Sequence, residues 1–174
     1  FEGHPDNAAP AFLGGLTASF MHEGRAVAVP FSPDPAWRFV AVIPNYEVRT
    51  EEARRIVRRD IDLSAAVHTM SHAIAMVRGL ETGDEALGGA ACAGGRHEPS
   101  RRTLIAEYDA MRAMALEAGA ATFFISGSGS TMIAATKSEA VAEAFVAKVR
   151  ETWPDFAARV LTVCHEGTTV TVED

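Results

Sequence analysis

The sequence predicts an α+β fold: a β-α-β-β-α-β plait with inserted helices, preceded by a short helix and a β-hairpin. Three observations support this class. Arg38-Phe39-Val40-Ala41-Val42-Ile43-Pro44 is a near-continuous apolar run, the pattern of a buried strand. The segments that follow place apolar residues at steps of three and four, the period of a helix with one buried face. At 121–125 and 131–135 the period changes to that of strands, with only five residues between them, so close antiparallel pairing is expected. A further helix and a strand at 160–164 then complete the order of a ferredoxin-like plait, with the extra helices in its first crossover.

Taken in order, Ala8 to Leu13 reads as a short helix stopped by Gly14-Gly15. Strands at 16–21 and 26–31 flank Glu23-Gly24, a hairpin signal. Ser32-Pro33-Asp34-Pro35 breaks the pattern before the apolar strand. Thr50 with Glu51 and Glu52 suits a helix start, the hydroxyl capping and the acids complementing the dipole, and the helix is expected to run to about Arg59. From Leu63 the positions Val67, Met70, Ile74 and Val77 form a stripe expected to face the core, on a helix ending near Gly79. The Gly- and Ala-rich stretch 83–95 is expected as a short buried helix. Leu104, Tyr108, Met111 and Ala115 mark another, ending at Gly119. Ser138 opens a helix carrying Val141, Phe145 and Val149, and Pro154 breaks it. Strands at 160–164 and 168–172 close the chain.

At 174 residues, one domain with a single core is expected. A hydrophobic content of 48% is ordinary for a globular chain. The net charge of -7 disfavours nucleic acid as a partner, because phosphate backbones call for a basic face. The one dense basic cluster, Arg54, Arg55, Arg58 and Arg59, has helical spacing. It suits either a solvated face with i,i+4 pairing or an Arg turned inward onto an anionic ligand. Cys92 and Cys164 stand far apart, without the spacing of a disulfide framework or zinc cage, which points to a reducing cytoplasm. No apolar run is long enough to span a bilayer.

Three polar motifs carry candidate chemistry. Glu2-Gly3-His4-Pro5-Asp6-Asn7 combines a carboxylate, an amide and an imidazole beside a rigid Pro. Ser126-Gly127-Ser128-Gly129-Ser130-Thr131 is a loop of small residues between strands. Its glycines allow backbone N–H groups to converge on an anion, although such loops are also ordinary turns. In His97-Glu98-Pro99-Ser100-Arg101 the guanidinium could grip a carboxylate bidentately or face solvent. His68 and His72 have metal-ligand spacing but lack a third ligand, so no metal site is assigned. Cys164 and His165, adjacent on an expected strand, would point to opposite faces, which argues against a dyad and for a packed Cys beside a surface His.

These motifs, with Ala8-Ala9-Pro10 after the first and Thr50-Glu51-Glu52-Ala53-Arg54 between it and the Arg101 cluster, resemble in content and order the homoserine kinases of the GHMP kinase family. The resemblance covers essentially the whole chain and implies the family's C-terminal portion, with residues 1–34 a remnant of the N-terminal domain and 35–174 the C-terminal domain. It implies a cytoplasmic enzyme that uses ATP and Mg2+ to phosphorylate the hydroxyl of L-homoserine, giving O-phospho-L-homoserine on the way to threonine. The assembly it suggests is a homodimer, with neither nucleic acid nor membrane as a partner. The Gly- and Ser-rich nucleotide loop and the magnesium-binding acid of that family have no counterpart in these residues. The chain opens on Phe1, within a motif, so a fragment inactive by itself is expected.

By the same resemblance, His4, Asp6 and Asn7 line the substrate pocket near its reacting hydroxyl and amino group, Asp6 and Asn7 closest to the chemistry, with Asp6 acting mainly in binding. Arg54 and Arg101 hold the substrate carboxylate. Gly127, Ser128 and Gly129 brace the phosphate loop. Ser130 departs from the family pattern, which commonly has Pro there. Two alternatives remain open: an amino-acid-binding regulatory module of the same plait, and a GHMP kinase for another small alcohol.

Overall fold

The computed structural model describes residues 4–57, 60, 62–92 and 98–172. Helix α1 (Ala8–Leu13) leads into a hairpin of β1 (Leu16–His22) and β2 (Arg25–Phe31). Glu23 and Gly24 both take positive φ at its turn, as two-residue hairpin loops require, and the register runs from Leu16 opposite Phe31 to His22 opposite Arg25.

The second sheet contains β3 (Arg38–Ile43), β4 (Thr122–Ile125), β5 (Met132–Thr136) and β6 (Ala157–Leu161). Its order is β4-β5-β3-β6 with every neighbour antiparallel, so the first and third strands of the plait are central, as expected. The first crossover holds α2 (Thr50–Arg55), α3 (Leu63–Thr82), α4 (Glu85–Cys92), α5 (Glu98–Arg101), a 3-10 turn (Arg102–Leu104) and α6 (Tyr108–Glu117), and the second holds α7 (Glu139–Thr152).

Alternation along the strands divides the sheet into two faces. Val40, Val42, Phe123, Met132, Ala134 and Ala158 form one face and belong to the main core. Helices α6 and α7 close it with Tyr108, Met111, Ala115, Phe145 and Val149, the stripes expected from sequence. Ser138 caps α7, its Oγ accepting from the Val141 N–H at 3.3 Å. The opposite face, with Phe39 and Phe124, lies under α3 and α4. These helices pack closely because both contact positions are glycine: a Cβ on Gly79 would stand 2.6 Å from the Gly88 backbone nitrogen. Gly79 therefore serves packing, and α3 runs on to Gly83, whose left-handed conformation ends it.

Several sequence expectations need correction. The stripe of α3 does not face the core: Val67, Met70 and Ile74 are 52%, 58% and 74% exposed. Periodicity marks an apolar face but carries no information on whether the same chain supplies its cover. Helix α2 ends at Arg55, and Arg49, not Thr50, is its N-cap. Strand β6 lies earlier than expected, because the turn through Trp153 and Phe156 restarts the chain in register with β3, where Phe39 opposite Leu161 ends the pairing. Cys164 and His165 consequently lie beyond the strand, both exposed, so Cys164 is not a packed strand residue. No strand forms at 168–172. Thr168 instead satisfies the end of α1, donating from its hydroxyl to the Ala11 carbonyl at 2.8 Å and from its N–H to the Phe12 carbonyl at 3.2 Å. Among the described residues no helix is long and apolar enough to cross a membrane.

Candidate functional site

The loop between β4 and β5 is the point on which the motifs converge. Ser126 donates to the Thr131 carbonyl at 2.9 Å and Gly129 to the Ser126 carbonyl at 3.0 Å, closing the loop, while Gly127 and Gly129 adopt positive φ. The Gly129–Ser130 peptide is cis. Ser130 is buried, its hydroxyl donating to the Tyr46 carbonyl at 2.6 Å, and this anchors the loop to the segment before α2. Ser126 and Gly127 are left exposed at the corner.

Two elements reach this loop from either side. From α2, the Thr50 hydroxyl lies 3.4 Å from that of Ser128, an interaction that the capping role expected for Thr50 did not anticipate. From the end of α5, Arg101 donates through Nη1 to the Gly127 carbonyl at 2.7 Å. Its Nε is buried with no hydrogen-bond partner. An unsatisfied buried donor is costly, so the edge of this guanidinium is poised for an acceptor.

Arg101 and Gly127 border a cavity of about 210 Å³. Met76 of α3 and Phe124 and Ile125 of β4 supply its apolar walls, and Cys92 and Glu98 complete it. Burial raises the Cys92 thiol pKa above its ordinary value, opposed by a hydrogen bond with the Thr122 side chain and reinforced by the charge of Glu98. The thiol stays protonated at neutral pH and acts as a wall, not a nucleophile. The buried Tyr108 hydroxyl donates to Glu98. Its pKa is raised, by burial first and by Glu98 second.

The remaining predicted residues stand on α2 and at the start of α1. Arg54 is exposed on α2, one turn beyond Thr50. His4, Asp6 and Asn7 are exposed at the start of α1, where Asn7 occupies the N-cap position without a side-chain capping bond. No hydrogen bond among the described residues joins these three to the loop. A larger apolar hollow of about 550 Å³ lies beside α1, lined by Pro10 and Ala11, and shares Met76 and Phe124 with the Arg101 cavity. The structure thus assembles Arg101, Gly127, Ser128 and Thr50, and leaves the first motif at the start of α1 with no hydrogen bond to them among the described residues. His97 and Glu2-Gly3, parts of two motifs, and Arg58 and Arg59 lie outside the described residues.

In the sequence Glu98 stands in a motif without an evident role of its own, and Tyr108 only as part of a core stripe. The Glu98-to-Arg101 spacing of one helical turn was the available signal for the first. Met76 and Phe124 had none beyond their apolar character.

Residues 76–155 match the family described as GHMP kinases C terminal. The homoserine kinase of Thermosynechococcus vestitus is 35% identical over 176 residues, covering 97% of this chain and 58% of that relative. That of Trichodesmium erythraeum is 41% identical over 139 residues, covering 79% and 45%. The crystal structure of homoserine kinase from Cytophaga hutchinsonii superposes with a TM-score of 0.84 at 28% identity, over 94% of this chain and 53% of that one. The chain therefore spans about half the length of the relatives it matches. The motifs that meet at the Gly127 loop, the plait beneath them and this agreement along nearly the whole chain point the same way: residues 76–155 match the GHMP kinases C-terminal family, and nearly the whole chain is similar to homoserine kinases.

Proposed function

We propose that this chain forms the substrate-side part of an ATP-dependent kinase that phosphorylates the hydroxyl of L-homoserine. The observation that supports it most is Arg101, held by the Gly127 carbonyl and presenting a buried, unpartnered Nε beside a small cavity. A guanidinium placed so binds a carboxylate strongly and fixes its direction. Arg54 adds positive charge from the α2 side, and His4, Asp6 and Asn7 serve the reacting end of the substrate from the start of α1.

In phosphoryl transfer of this kind the protein contributes mainly positioning and charge stabilisation. Asp6 and Asn7 orient the hydroxyl. Arg101 fixes the opposite end of the molecule, and its bond to Gly127 ties that end to the loop. ATP, when bound with Mg2+, supplies the phosphoryl group. The residues present fit a supporting role toward it: Gly127 to Gly129 form an open corner, since a Cβ on Gly127 would meet nothing within 4 Å. Among the described residues no group of three or more His, Cys, Asp or Glu could hold a metal ion, so no magnesium ligand is assigned to them.

The product of the complete reading frame that encodes this chain should phosphorylate L-homoserine when given ATP and Mg2+, with O-phosphohomoserine detected by phosphorus NMR. Turnover of another small alcohol with homoserine left untouched would overturn the substrate assignment.

A further inference from the structure

We infer that Tyr46 is the positioning residue of the site, fixing the segment that carries Arg101 and the Gly127 loop to each other and to α2. Its hydroxyl donates to Glu107 Oε2 at 2.6 Å, and its carbonyl accepts from the Ser130 hydroxyl at 2.6 Å. These partners stand 61 and 84 residues away along the chain. Both bonds leave one residue, so the gap between the elements they hold is set by the length of Tyr46 itself. Just beyond it, α2 begins at Thr50.

The Arg101 segment and the loop touch at successive levels above this base. Arg101 meets the Gly127 carbonyl, Ile105 lies against Gly129, and Glu107 reaches Ser130 through Tyr46. A Cβ on Gly129 would stand 3.1 Å from Ile105 Cδ1, so the middle contact is close and leaves little play. Arg101 ends a helix of four residues, too short to be rigid by itself. Its direction therefore depends on what anchors the chain that follows. The 3-10 turn Arg102–Leu104 and the buried Ile105 carry that anchorage to Glu107.

Glu107 occupies the N-cap position of α6 without a side-chain capping bond, and its carboxylate serves Tyr46 instead. A hydrogen bond to a carboxylate is stronger than one between neutral groups. Burial first, and the bond to Glu107 second, raise the Tyr46 hydroxyl pKa, so the group stays a donor. The ring is set separately, edge-on to Phe156 with centroids 6.2 Å apart, so Tyr46→Phe removes the bond and keeps the ring contact. Orienting groups work only in register with their substrate, and a displacement of about 1 Å can cost up to roughly 100-fold.

This inference rests on the kinase proposal for what the site binds, while the link through Tyr46 is also read without substrate. In the product of the complete reading frame, Tyr46→Phe should raise the KM for homoserine roughly 3- to 10-fold with kcat retained. In an Arg101→Ala background the same change should alter KM by less than about twofold, because the bond acts through Arg101. Glu107→Ala should match Tyr46→Phe, and Glu107→Gln, which keeps an acceptor, should recover most of the loss. Hydrogen exchange supplies the second readout: Tyr46→Phe should quicken the Gly129 and Ile105 amides together and leave α7 unchanged. If Tyr46→Phe does not fold, Glu107→Ala breaks the same bond from the other side.

An equal rise in KM in both backgrounds, no rise in either, or exchange that quickens at one amide or at neither overturns the inference. Any of these, with homoserine phosphorylated by wild type, overturns it alone. Linked quickening of the two amides, with homoserine left untouched by wild type, overturns the kinase proposal alone.

Discussion

The two faces of the four-stranded sheet are built from the same strands by different means. On one, Val40 and Val42 of β3 are 1% and 0% exposed beneath α6 and α7, and the cover is apolar throughout. On the other, Phe39 and Phe124 look into a hollow of about 550 Å³, and Ile43 is 40% exposed. The helices of that second face are fastened at one end by polar groups. The Trp37 indole donates to the Leu80 carbonyl at 3.0 Å, Glu85 accepts from the Lys137 N–H at 2.6 Å, and Lys137 meets both Asp34 and the Gly83 carbonyl. Close packing on one side supplies stability. Latching on the other leaves room for a ligand, and the Arg101 cavity lies on this side, sharing Phe124 with the hollow.

The largest expected effect tests that division. Phe145→Ala removes a ring that is 1% exposed on the closed face, and should lower the unfolding free energy by about 3–5 kcal/mol in urea titration. Phe124→Ala, on the open face, should cost less stability and more ligand affinity. Equal stability losses would erase the distinction between the faces.

Next in size is Arg101→Ala, expected to raise the KM for homoserine by an amount equivalent to about 2–4 kcal/mol while leaving the urea midpoint nearly unchanged, because the side chain spans a cavity and a loop carbonyl. An unchanged KM would remove Arg101 from the site. Arg101→Lys should recover little, since an ammonium concentrates its donors on one nitrogen and lacks the planar fork that lets Nη1 hold Gly127 while Nε points elsewhere.

The closed face was legible in the sequence to a degree that the open face was not. Tyr108, Met111, Phe145 and Val149 were readable because their helices bury one stripe against strands in the same chain, and periodicity is the signature of that arrangement. The stripe of α3 has the same periodicity, but Val67, Met70 and Ile74 lie in solvent, since a repeating pattern does not name its partner. The motifs behaved likewise. Arg101, Gly127 and Ser128 could be proposed from residue type and order, and they meet. The roles of Thr50 at Ser128 and Glu98 at Tyr108 depend on which elements the crossover brings side by side, which spacing along the chain does not encode. Strand β6 was misplaced by three residues at each end for a related reason: its register is set by the length of β3, a distant segment.

The latches of the open face provide the third test. Glu85 Oε1 accepts from the Lys137 N–H and from the Thr136 hydroxyl, which is 2% exposed, so Glu85→Ala leaves two donors without their acceptor. The expected cost is about 1–3 kcal/mol. Hydrogen exchange should quicken in α4 and the end of α3 before it does in α7. Uniform acceleration across both faces would mean that the latch belongs to the global core.

The smallest expected effect is confined to acid. Asp34 has its pKa lowered, chiefly by the hydrogen bond from the Ala36 N–H at 2.8 Å, then by that from Lys137, with partial burial opposing both. A carboxyl whose folded pKa is depressed stabilises the fold above its unfolded value, near 3.9, and that contribution disappears as the pH falls through the lower folded value. Asp34→Asn should therefore be less stable than wild type from neutral pH down to about pH 4, and the two should converge below it. Since Asp34 also donates its backbone N–H to the Leu80 carbonyl at 2.9 Å, a bond that the substitution retains, the variant isolates the charge from the rest of the latch. A gap between the curves that persisted below the folded pKa would assign the effect to the side-chain amide's geometry, and the acid sensitivity of the open face would then have to reside elsewhere.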